Sequence, residues 1–261
     1  MDYHLAIPSH RRAAMLGAKT LKFLRLSNAP KPTVYVADDQ DLVEYRNLYP
    51  DLEICLAPKG IAATRNYIQD VQPLGKRIVY IDDDIEEVYH LDLSTETPRK
   101  YKVRDFDTLV QEGFYCMEKA GTTFWGVYAT DNLLCMKPVI RRNLCYINGS
   151  LYGLVNNRIS VQHNHGEDFE RSLRYWKKEG RLCRLEFVGL VTKYLKNKGG
   201  LQEIRNDINT AEDIQKIIDE FPDLCKLRKK KGKWDDISFR RFPPYFISCS
   251  TVQCNNQTSN S

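Results

Sequence analysis

Short apolar runs alternate with helical patterns through the first 85 residues of the chain. Four runs rich in β-branched and aromatic residues predict strands at 3–8, 33–37, 52–56 and 77–81. Helical patterns fall between these runs, near 10–26, 40–48 and 60–70. Because strands that alternate with helices favour a parallel sheet covered on both faces, the sequence predicts an α/β fold.

The rest of the chain predicts a less regular continuation of the same sheet. Further helices are expected near 106–120 and 167–179, and further strands at 124–130 and 144–155. We expect one domain over 1–246, whose two halves, about 1–85 and about 86–246, share one sheet. Residues 247–261 are polar and weakly patterned, which is typical of a tail.

Composition excludes several classes of protein. The 261 residues are 42% hydrophobic, which is enough for a substantial core. No apolar run approaches the roughly 20 residues of a membrane span, and the N-terminus lacks the pattern of a signal peptide, so we expect a cytoplasmic protein. The eight cysteines are scattered without the spacing of a zinc site, and we interpret them as reduced. The net charge of +5 predicts no particular partner.

Three consecutive aspartates, Asp82, Asp83 and Asp84, follow the fourth predicted strand. In an extended segment Asp82 and Asp84 share one face while Asp83 points to the other. The carboxyl end of a parallel sheet is where open α/β folds bind ligands, and hard oxygen ligands favour Mg²⁺ or Mn²⁺ completed by substrate phosphates. The alternative is an acidic turn that begins a helix, with Glu86 and Glu87 also favouring the helix N-terminus.

Four motifs occur in an order that carries a family resemblance: IPSHRR (7–12), GIAATRN (60–66), YIDDDI (80–85) and GEDFERSLRYW (166–176). Together they resemble the GT-A glycosyltransferases, which use nucleotide-sugar donors. More narrowly, they are similar to the TET-associated glycosyltransferases of phages, thought to add sugars to hydroxymethylated pyrimidines in DNA. The resemblance covers about residues 3–200 and implies a mixed, mostly parallel sheet flanked by helices.

The resemblance implies a donor site built around the aspartates. Asp84 would chelate the metal and Asp82 would contact the metal or the ribose, as parts of a larger donor-binding set: Pro8, Ser9, Arg11, Asp39, Arg65, Asn66, Asp82, Asp83 and Lys198. Asp39 could accept the uracil N–H or cap a helix, while Arg65 offers a planar fork to the diphosphate or lies on a solvent-facing helix surface. Lys198 belongs to a Lys-Gly-Gly segment that could also be a surface turn.

The same resemblance implies catalytic and metal-binding groups near residue 165. Asp168 would deprotonate the acceptor hydroxyl and Glu167 would contact the sugar, although acids also suit a first helical turn. His165, with His163 beside it in an HNH segment, could complete the metal shell. A structural or surface role is the alternative for these histidines.

Acceptor contacts are expected at Trp125 and Asn132. Trp125 could stack on a sugar or a base, although an aromatic residue in a strand also suits a core. A basic run at 226–233 could follow a phosphate backbone or form a solvated surface, and its candidates for DNA binding are Arg228, Lys229, Lys230 and Lys231.

These features predict a metal-dependent glycosyltransferase that uses Mn²⁺ or Mg²⁺ and a UDP-sugar. The predicted acceptor is 5-hydroxymethylcytosine in DNA, which implies a phage enzyme acting in the host cytoplasm without an obligate protein partner. Three alternatives stay open: a protein or polysaccharide acceptor, a Mg²⁺-dependent nucleotidyltransferase, and a non-catalytic nucleic-acid-binding module. The sequence leaves the sugar, the stereochemical outcome and the oligomeric state undetermined.

Overall fold

The computed structural model describes residues 2–92, 94, 97–192, 207–229, 236–242 and 246–248, with the backbone alone at 207–209 and 246–248. Its strands are β1 (Tyr3–Pro8), β2 (Thr33–Val36), β3 (Glu53–Leu56), β4 (Arg77–Ile81), β5 (Ile85–Asp92), β6 (Arg99–Lys102), β7 (Phe124–Tyr128), β8 (Val139–Arg141), β9 (Leu151–Val155), β10 (Cys183–Thr192), β11 (Cys225–Arg228), β12 (Asp236–Phe239) and β13 (Phe246–Ser248). Its helices are α1 (Ala13–Leu16), α2 (Lys22–Leu26), α3 (Asp39–Leu48), α4 (Ile61–Val71), α5 (Phe106–Ala120), α6 (Glu167–Glu179) and α7 (Asp207–Glu220), with a π-helical segment at Gly17–Leu21.

Within these described residues, one eleven-stranded sheet runs in the order β13-β8-β10-β7-β9-β4-β1-β2-β3, with β5 and β6 joined to β10. Strands β1 to β4 are parallel, and β7 and β10 run in their direction, because β9 lies antiparallel between β4 and β7. The carboxyl ends of six strands therefore meet at one edge of the sheet, where ligands bind in folds of this kind. The small sheet β11-β12 is separate.

The first half follows the sequence pattern closely. Strand β1 and strand β4 have the predicted bounds, and both are almost entirely buried, as parallel strands covered on two faces must be. The first predicted helix begins at Ala13 and contains the π-helical segment. Ser9 does not cap this helix, because Arg12 occupies the N-cap position without a side-chain bond.

The second half departs from prediction at three places. Strand β5, rather than a helix, follows the aspartates, so the alternative of an acidic helix start is wrong. The strand expected over 144–155 begins only at Leu151, and the preceding residues form a loop at the sheet edge. Ile247 and Ser248, expected in the tail, pair with β8 as part of β13, and residues 249–261 lie outside the described residues.

Helices α5 and α6 have the predicted bounds, and both end at glycines in the left-handed conformation, Gly121 and Gly180. Among the described residues, no helix combines the length and apolar character that crossing a membrane requires. The six cysteines of the described part are free thiols, and four of them are buried.

Candidate active site

The three aspartates form the turn that joins β4 to β5. Thr20, fully buried in the π-helical segment, holds this turn: its hydroxyl donates to the carbonyl oxygen of Asp82 (2.7 Å) and accepts from the amide of Ile85 (3.0 Å). From the opposite side, the Asp82 amide donates to the carbonyl oxygen of Ser150 at 2.9 Å. Backbone contacts on two sides therefore hold the acidic turn in one conformation, and a π-helical insertion at such a place is common near functional sites.

The side chains of the turn alternate in exposure. Asp83 is only 4% exposed, whereas Asp82 and Asp84 are partly exposed. Asp83 accepts hydrogen bonds from the Ser9 hydroxyl (2.6 Å) and from Nη1 of Arg12 (3.2 Å). Ser9 and Asp83 were predicted to contact the donor nucleotide, but each is buried and they bind each other. They connect the loop after β1 to the acidic turn.

The carboxyl group of Asp82 is under opposing influences. Desolvation has the largest effect and raises the pKa of Asp82 to about 6. The Arg65 guanidinium lowers this pKa, and the negative charges of Asp84 and Asp83 raise it. A cation beside Asp82 and Asp84 would stabilise their charged forms. Two partly exposed carboxylates at a sheet edge fit a hard divalent cation such as Mn²⁺ or Mg²⁺, which completes its shell with phosphate and water.

Arg65, on α4, is the centre of a buried ion network. Its Nη2 donates to a carboxylate oxygen of Asp82 and to the carbonyl oxygen of Gly149, each at 2.8 Å, and its Nη1 contacts Glu167. Its side chain is 2% exposed. The sequence predicted a diphosphate fork here, but these protein groups occupy the guanidinium. Arg65 instead joins the acidic turn to the start of α6.

Glu167 completes the same network. It is 6% exposed, and its second oxygen accepts from Nη2 of Arg171 at 2.9 Å. The guanidinium groups of Arg65 and Arg171 lie 5.4 and 5.2 Å from the centre of the Tyr152 ring. A Cβ at Gly149 would lie 2.7 Å from Arg65 Nη1 and 2.9 Å from Glu167 Oε1, so the network needs a glycine at that position. Glu167 therefore lies in a buried ion network, and its contact with the sugar stays a prediction.

Asp168, the next residue of α6, is partly exposed and faces a different set of partners. One carboxylate oxygen accepts from the Tyr146 hydroxyl, and the other accepts from the Phe169 amide at 3.0 Å. The Tyr146 ring stacks on Phe169 with centroids 4.3 Å apart. Stacking and hydrogen bonding together orient the Asp168 carboxylate, which keeps the accessibility that a general base requires.

A cavity of about 320 Å³ lies at this edge of the sheet, lined by Ala129, Thr130, Asp131, Tyr146, Asn148, Leu190, Val191 and Thr192. At one border Thr192 pairs with Ile85, directly after the acidic turn. At another border Tyr146 lines the cavity and donates to Asp168. The cavity therefore adjoins both the candidate metal site and the candidate base, and its volume is at the lower end for small-molecule sites.

Sequence analysis missed Tyr146 and Asn148 as site residues. The amide of Asn148 donates to the Tyr146 hydroxyl at 3.3 Å, and its oxygen accepts from the Ser150 amide at 2.7 Å. Both residues lie in the segment predicted as a strand, and the sequence analysis gave them no role in a site. The polar run Asn148-Gly149-Ser150 was the signal that this segment is a loop at the sheet edge.

Three further predicted donor residues, Pro8, Arg11 and Asp39, lie at or just after the carboxyl ends of β1 and β2. Pro8 ends β1 and is buried, and the amide of Arg11 donates to the Asp41 carboxylate at 3.1 Å. Asp39 is exposed in the first turn of α3, and Asp38, not Asp39, caps this helix. Asn66 was predicted as a donor contact, but its side-chain amide bonds both backbone groups of Val161, at 2.7 and 3.0 Å.

His165 binds α7 instead of the aspartates. It is 3% exposed, and its Nδ1 lies 3.0 Å from a carboxylate oxygen of Asp213. Its Nε2 has no hydrogen-bond partner within the described part of the chain. In that part, two groups of three donor atoms lie within 4.8 Å of one another, and neither includes His165, Asp82 or Asp84: His10, Asp38 and Asp41 in one, and His163, Glu170 and Glu220 in the other.

The predicted acceptor residues separate into core and surface. Trp125 is fully buried, and a Cβ at Gly113 or Gly153 would approach its ring within 2.6 or 2.3 Å, so it is a core residue and cannot stack on a sugar or a base. Asn132 is exposed, one residue beyond the cavity wall, and its side chain accepts from the Leu134 amide at 3.1 Å.

The basic segment is described only in part. Arg228 and Lys229 are exposed, and Arg228 pairs with Asp236 of the neighbouring strand β12 at 2.9 Å. Lys230, Lys231 and the predicted donor residue Lys198 lie outside the described residues.

No model of a known protein family and no curated protein sequence matches the chain. Among solved structures, glucosyl-3-phosphoglycerate synthase from Mycobacterium tuberculosis, in complex with Mn²⁺, UDP and phosphoglyceric acid, is similar with a TM-score of 0.53 at 10% identity, over 97% of this chain and 91% of that chain. Mannosyl-3-phosphoglycerate synthase from Rubrobacter xylanophilus has a TM-score of 0.51 at 8% identity, over 97% of this chain and 89% of that chain. The chain therefore has a GT-A-like fold, a mixed and mostly parallel sheet flanked by helices, as the sequence predicted.

Proposed function

We propose that this protein is a metal-dependent glycosyltransferase that moves a sugar from a UDP-sugar to an acceptor hydroxyl. One observation carries the proposal: a single cavity adjoins both a turn with two partly exposed carboxylates and a third, oriented carboxylate, Asp168. The likeness in fold to a synthase solved with Mn²⁺ and UDP supports it.

In this proposal the two partly exposed acids of the turn, Asp82 and Asp84, form the metal site for the donor. Asp82 and Asp84 would hold Mn²⁺ or Mg²⁺, and a bound cation would supply compensation for the negative charge of the departing diphosphate. Arg65 holds the Asp82 carboxylate through a 2.8 Å bond, and Thr20 holds the backbone of the turn. These contacts orient the ligands before the donor binds, so little reorganisation is needed during transfer.

The acceptor is served by Asp168. An acceptor hydroxyl has a pKa far above neutrality, so a positioned base assists its attack on the sugar. The Asp168 carboxylate takes the hydroxyl proton, and the Tyr146 hydroxyl holds the carboxylate in orientation. Glu167, buried against Arg65 and Arg171, acts as a positioning residue for the start of α6.

The specific form of the proposal takes 5-hydroxymethylcytosine in DNA as the acceptor. Its support is the resemblance of the four sequence motifs and the exposure of Arg228 and Lys229. Sugar transfer to hydroxymethylated DNA, with none to unmodified DNA of the same sequence, would establish it. Transfer to a protein or polysaccharide instead would keep the reaction and replace the acceptor.

Donor use is the first test of the proposed function. UDP should raise the melting temperature of the protein when Mn²⁺ is present and not when EDTA removes the metal, because ligand binding to the folded state stabilises it. Labelled UDP-glucose, UDP-galactose and UDP-N-acetylglucosamine then report which donor releases UDP. If no donor binds or turns over with either Mn²⁺ or Mg²⁺, the proposed function is wrong. Attachment of nucleotide instead of sugar would assign the protein to the nucleotidyltransferases.

A further inference from the structure

Within the described residues, the wall of the cavity beside Asp168 carries polar groups and no positively charged side chain. Among the eight residues that line it there is no lysine or arginine, and the charged one is Asp131. The Tyr146 hydroxyl and the Asn148 amide supply neutral hydrogen-bonding groups, while Leu190 and Val191 add apolar surface. This mixture suits an uncharged group with hydroxyls better than a phosphate or a carboxylate, which need cationic partners.

In the part of the chain that the structure describes, two cations lie next to this wall, and each contacts an acidic group. Lys100, on β6, donates to the backbone oxygen of Asp131 at 2.8 Å and contacts its carboxylate. Arg184 donates from Nε (3.0 Å) and Nη2 (2.7 Å) to Glu186, and from Nη1 to the carbonyl oxygen of Tyr146. Within the described residues, Lys100 is therefore paired with the Asp131 carboxylate, while the Glu186 carboxylate is shared by Arg184 and by Arg141, whose Nε lies 2.7 Å from it.

The position of Asp131 is built into the fold. A Cβ at Gly189 would lie 2.3 Å from the carbonyl oxygen of Thr130 and 2.9 Å from Cα of Asp131, so the loop after β7 packs directly against β10. Glycine at that position permits the close approach. The loop in turn holds the Asp131 carboxylate between Lys100 and the cavity.

We propose that the cavity admits the acceptor through an uncharged, hydroxyl-bearing group, and that the Lys100–Asp131 ion pair enforces this choice by cancelling the nearest positive charge. The inference rests on the proposed function, since it assigns the cavity beside Asp168 to the acceptor. Tyr146 and Asn148 hold the entering group, and Asp131 determines specificity. In a larger acceptor, any phosphates stay outside the cavity.

Matched acceptors test the proposal with the donor that the protein hydrolyses. Each neutral acceptor is paired with its phosphate monoester: glycerol with glycerol 3-phosphate, and glucose with glucose 6-phosphate. The protein should favour the neutral member in kcat/KM by about tenfold or more, because a negative group gains no cationic partner in this cavity. Equal or faster transfer to the phosphorylated members would overturn the proposal.

Two variants should change this preference in opposite directions. Asp131→Asn leaves the Lys100 charge uncompensated, so transfer to phosphorylated acceptors should rise and the preference should narrow by about three- to tenfold. Lys100→Gln leaves the negative charge of Asp131 without its partner, which repels phosphates. The kcat/KM preference for neutral over phosphorylated acceptors should therefore increase. Asp51→Asn removes an exposed acid just before β3, at the opposite end of the sheet, and should change nothing.

The outcomes separate this inference from the proposed function. An unchanged preference in folded Asp131→Asn and Lys100→Gln proteins would overturn the role of the ion pair. Donor hydrolysis without transfer to any neutral acceptor would overturn the acceptor assignment while the donor site stands. Absence of both donor binding and donor hydrolysis would overturn the proposed function itself.

Discussion

The two sides of the candidate site are built differently. On the side of the acidic turn, charged groups pair with one another: the partly exposed Asp82 binds the buried Arg65, and Arg65 contacts the buried Glu167. On the side of the cavity, Tyr146 and Asp168 are partly exposed, and they lie on or beside loops. The first side resembles a protein core that contains charges, and the second resembles a ligand surface.

This difference indicates that the turn side contributes mainly to stability and the cavity side mainly to specificity and turnover. A buried ion network costs desolvation energy and gives little net stability, but removing one partner leaves a buried charge uncompensated and costs about 3–5 kcal/mol. Partly exposed groups tolerate substitution at a cost mostly below 1 kcal/mol. We therefore expect variants on the turn side to affect folding, unless they replace a ligand that faces the donor, and variants on the cavity side to affect turnover.

Asp84 provides the largest expected effect on activity. Asp84→Asn should lower donor hydrolysis and transfer by at least about 100-fold, because it removes a carboxylate from the proposed metal site. The melting temperature should stay close to that of the wild type, because Asp84 is partly exposed. Asp51→Asn is the charge-matched control, and Mn²⁺ titration of donor hydrolysis is the measurement. Wild-type metal dependence in the variant would exclude Asp84 as a ligand.

Arg65 tests the turn side as a structural support. Arg65→Met keeps much of the volume but leaves Asp82 and Glu167 without their shared cation, so the free energy of unfolding should fall by about 3–5 kcal/mol. Urea denaturation followed by circular dichroism measures the change. Arg46→Met, at an exposed arginine of α3, should change stability by less than about 0.5 kcal/mol.

A double variant sharpens this test. If Arg65 and Glu167 act as one network, Arg65→Met combined with Glu167→Gln should cost clearly less than the sum of the two single changes, because each single change already removes the ion pair between them. Additive costs would show that the two side chains contribute independently and would contradict the network.

Tyr146 tests the cavity side and has the smallest expected effect. Tyr146→Phe removes the hydrogen bond to Asp168 but keeps the ring that stacks on Phe169. The kcat of transfer should fall about tenfold through weaker general-base catalysis, while donor hydrolysis without acceptor and the melting temperature stay near wild type. Tyr101→Phe, at an exposed tyrosine of β6, is the control. A loss of donor hydrolysis equal to the loss of transfer would contradict a role confined to the acceptor side.

Local pattern was sufficient for much of the fold. Strand β1, strand β4, helix α5 and helix α6 have the predicted bounds, because each has a clear period of apolar residues between turn or capping residues. The segment before β9 was less predictable. Apolar residues on both sides of Asn148-Gly149-Ser150 suggested a continuous strand, and only the sheet edge shows why the segment is a loop.

Only those features of the candidate site that neighbouring residues in the sequence form together could be predicted. Consecutive acids after a buried strand indicated the turn, and the acidic start of α6 indicated Asp168. The partners of Arg65 were not predictable, because its contacts join residues that are distant along the chain and adjacent in the folded protein. For Trp125 the sequence left two roles open, stacking on a ligand and packing in the core. The structure buries its ring against Gly113 and Gly153, so it is a core residue.

The sequence by itself determined the alternating strands and helices before the acidic turn, helices α5 and α6, the acidic turn and the acidic start of α6, because apolar periodicity and adjacent charges act over a few residues. The tertiary structure decided which charged groups face the cavity and which hold one another inside the protein. The physical reason is desolvation: a buried charge requires a partner, and only folding determines which distant residue is close enough to provide it.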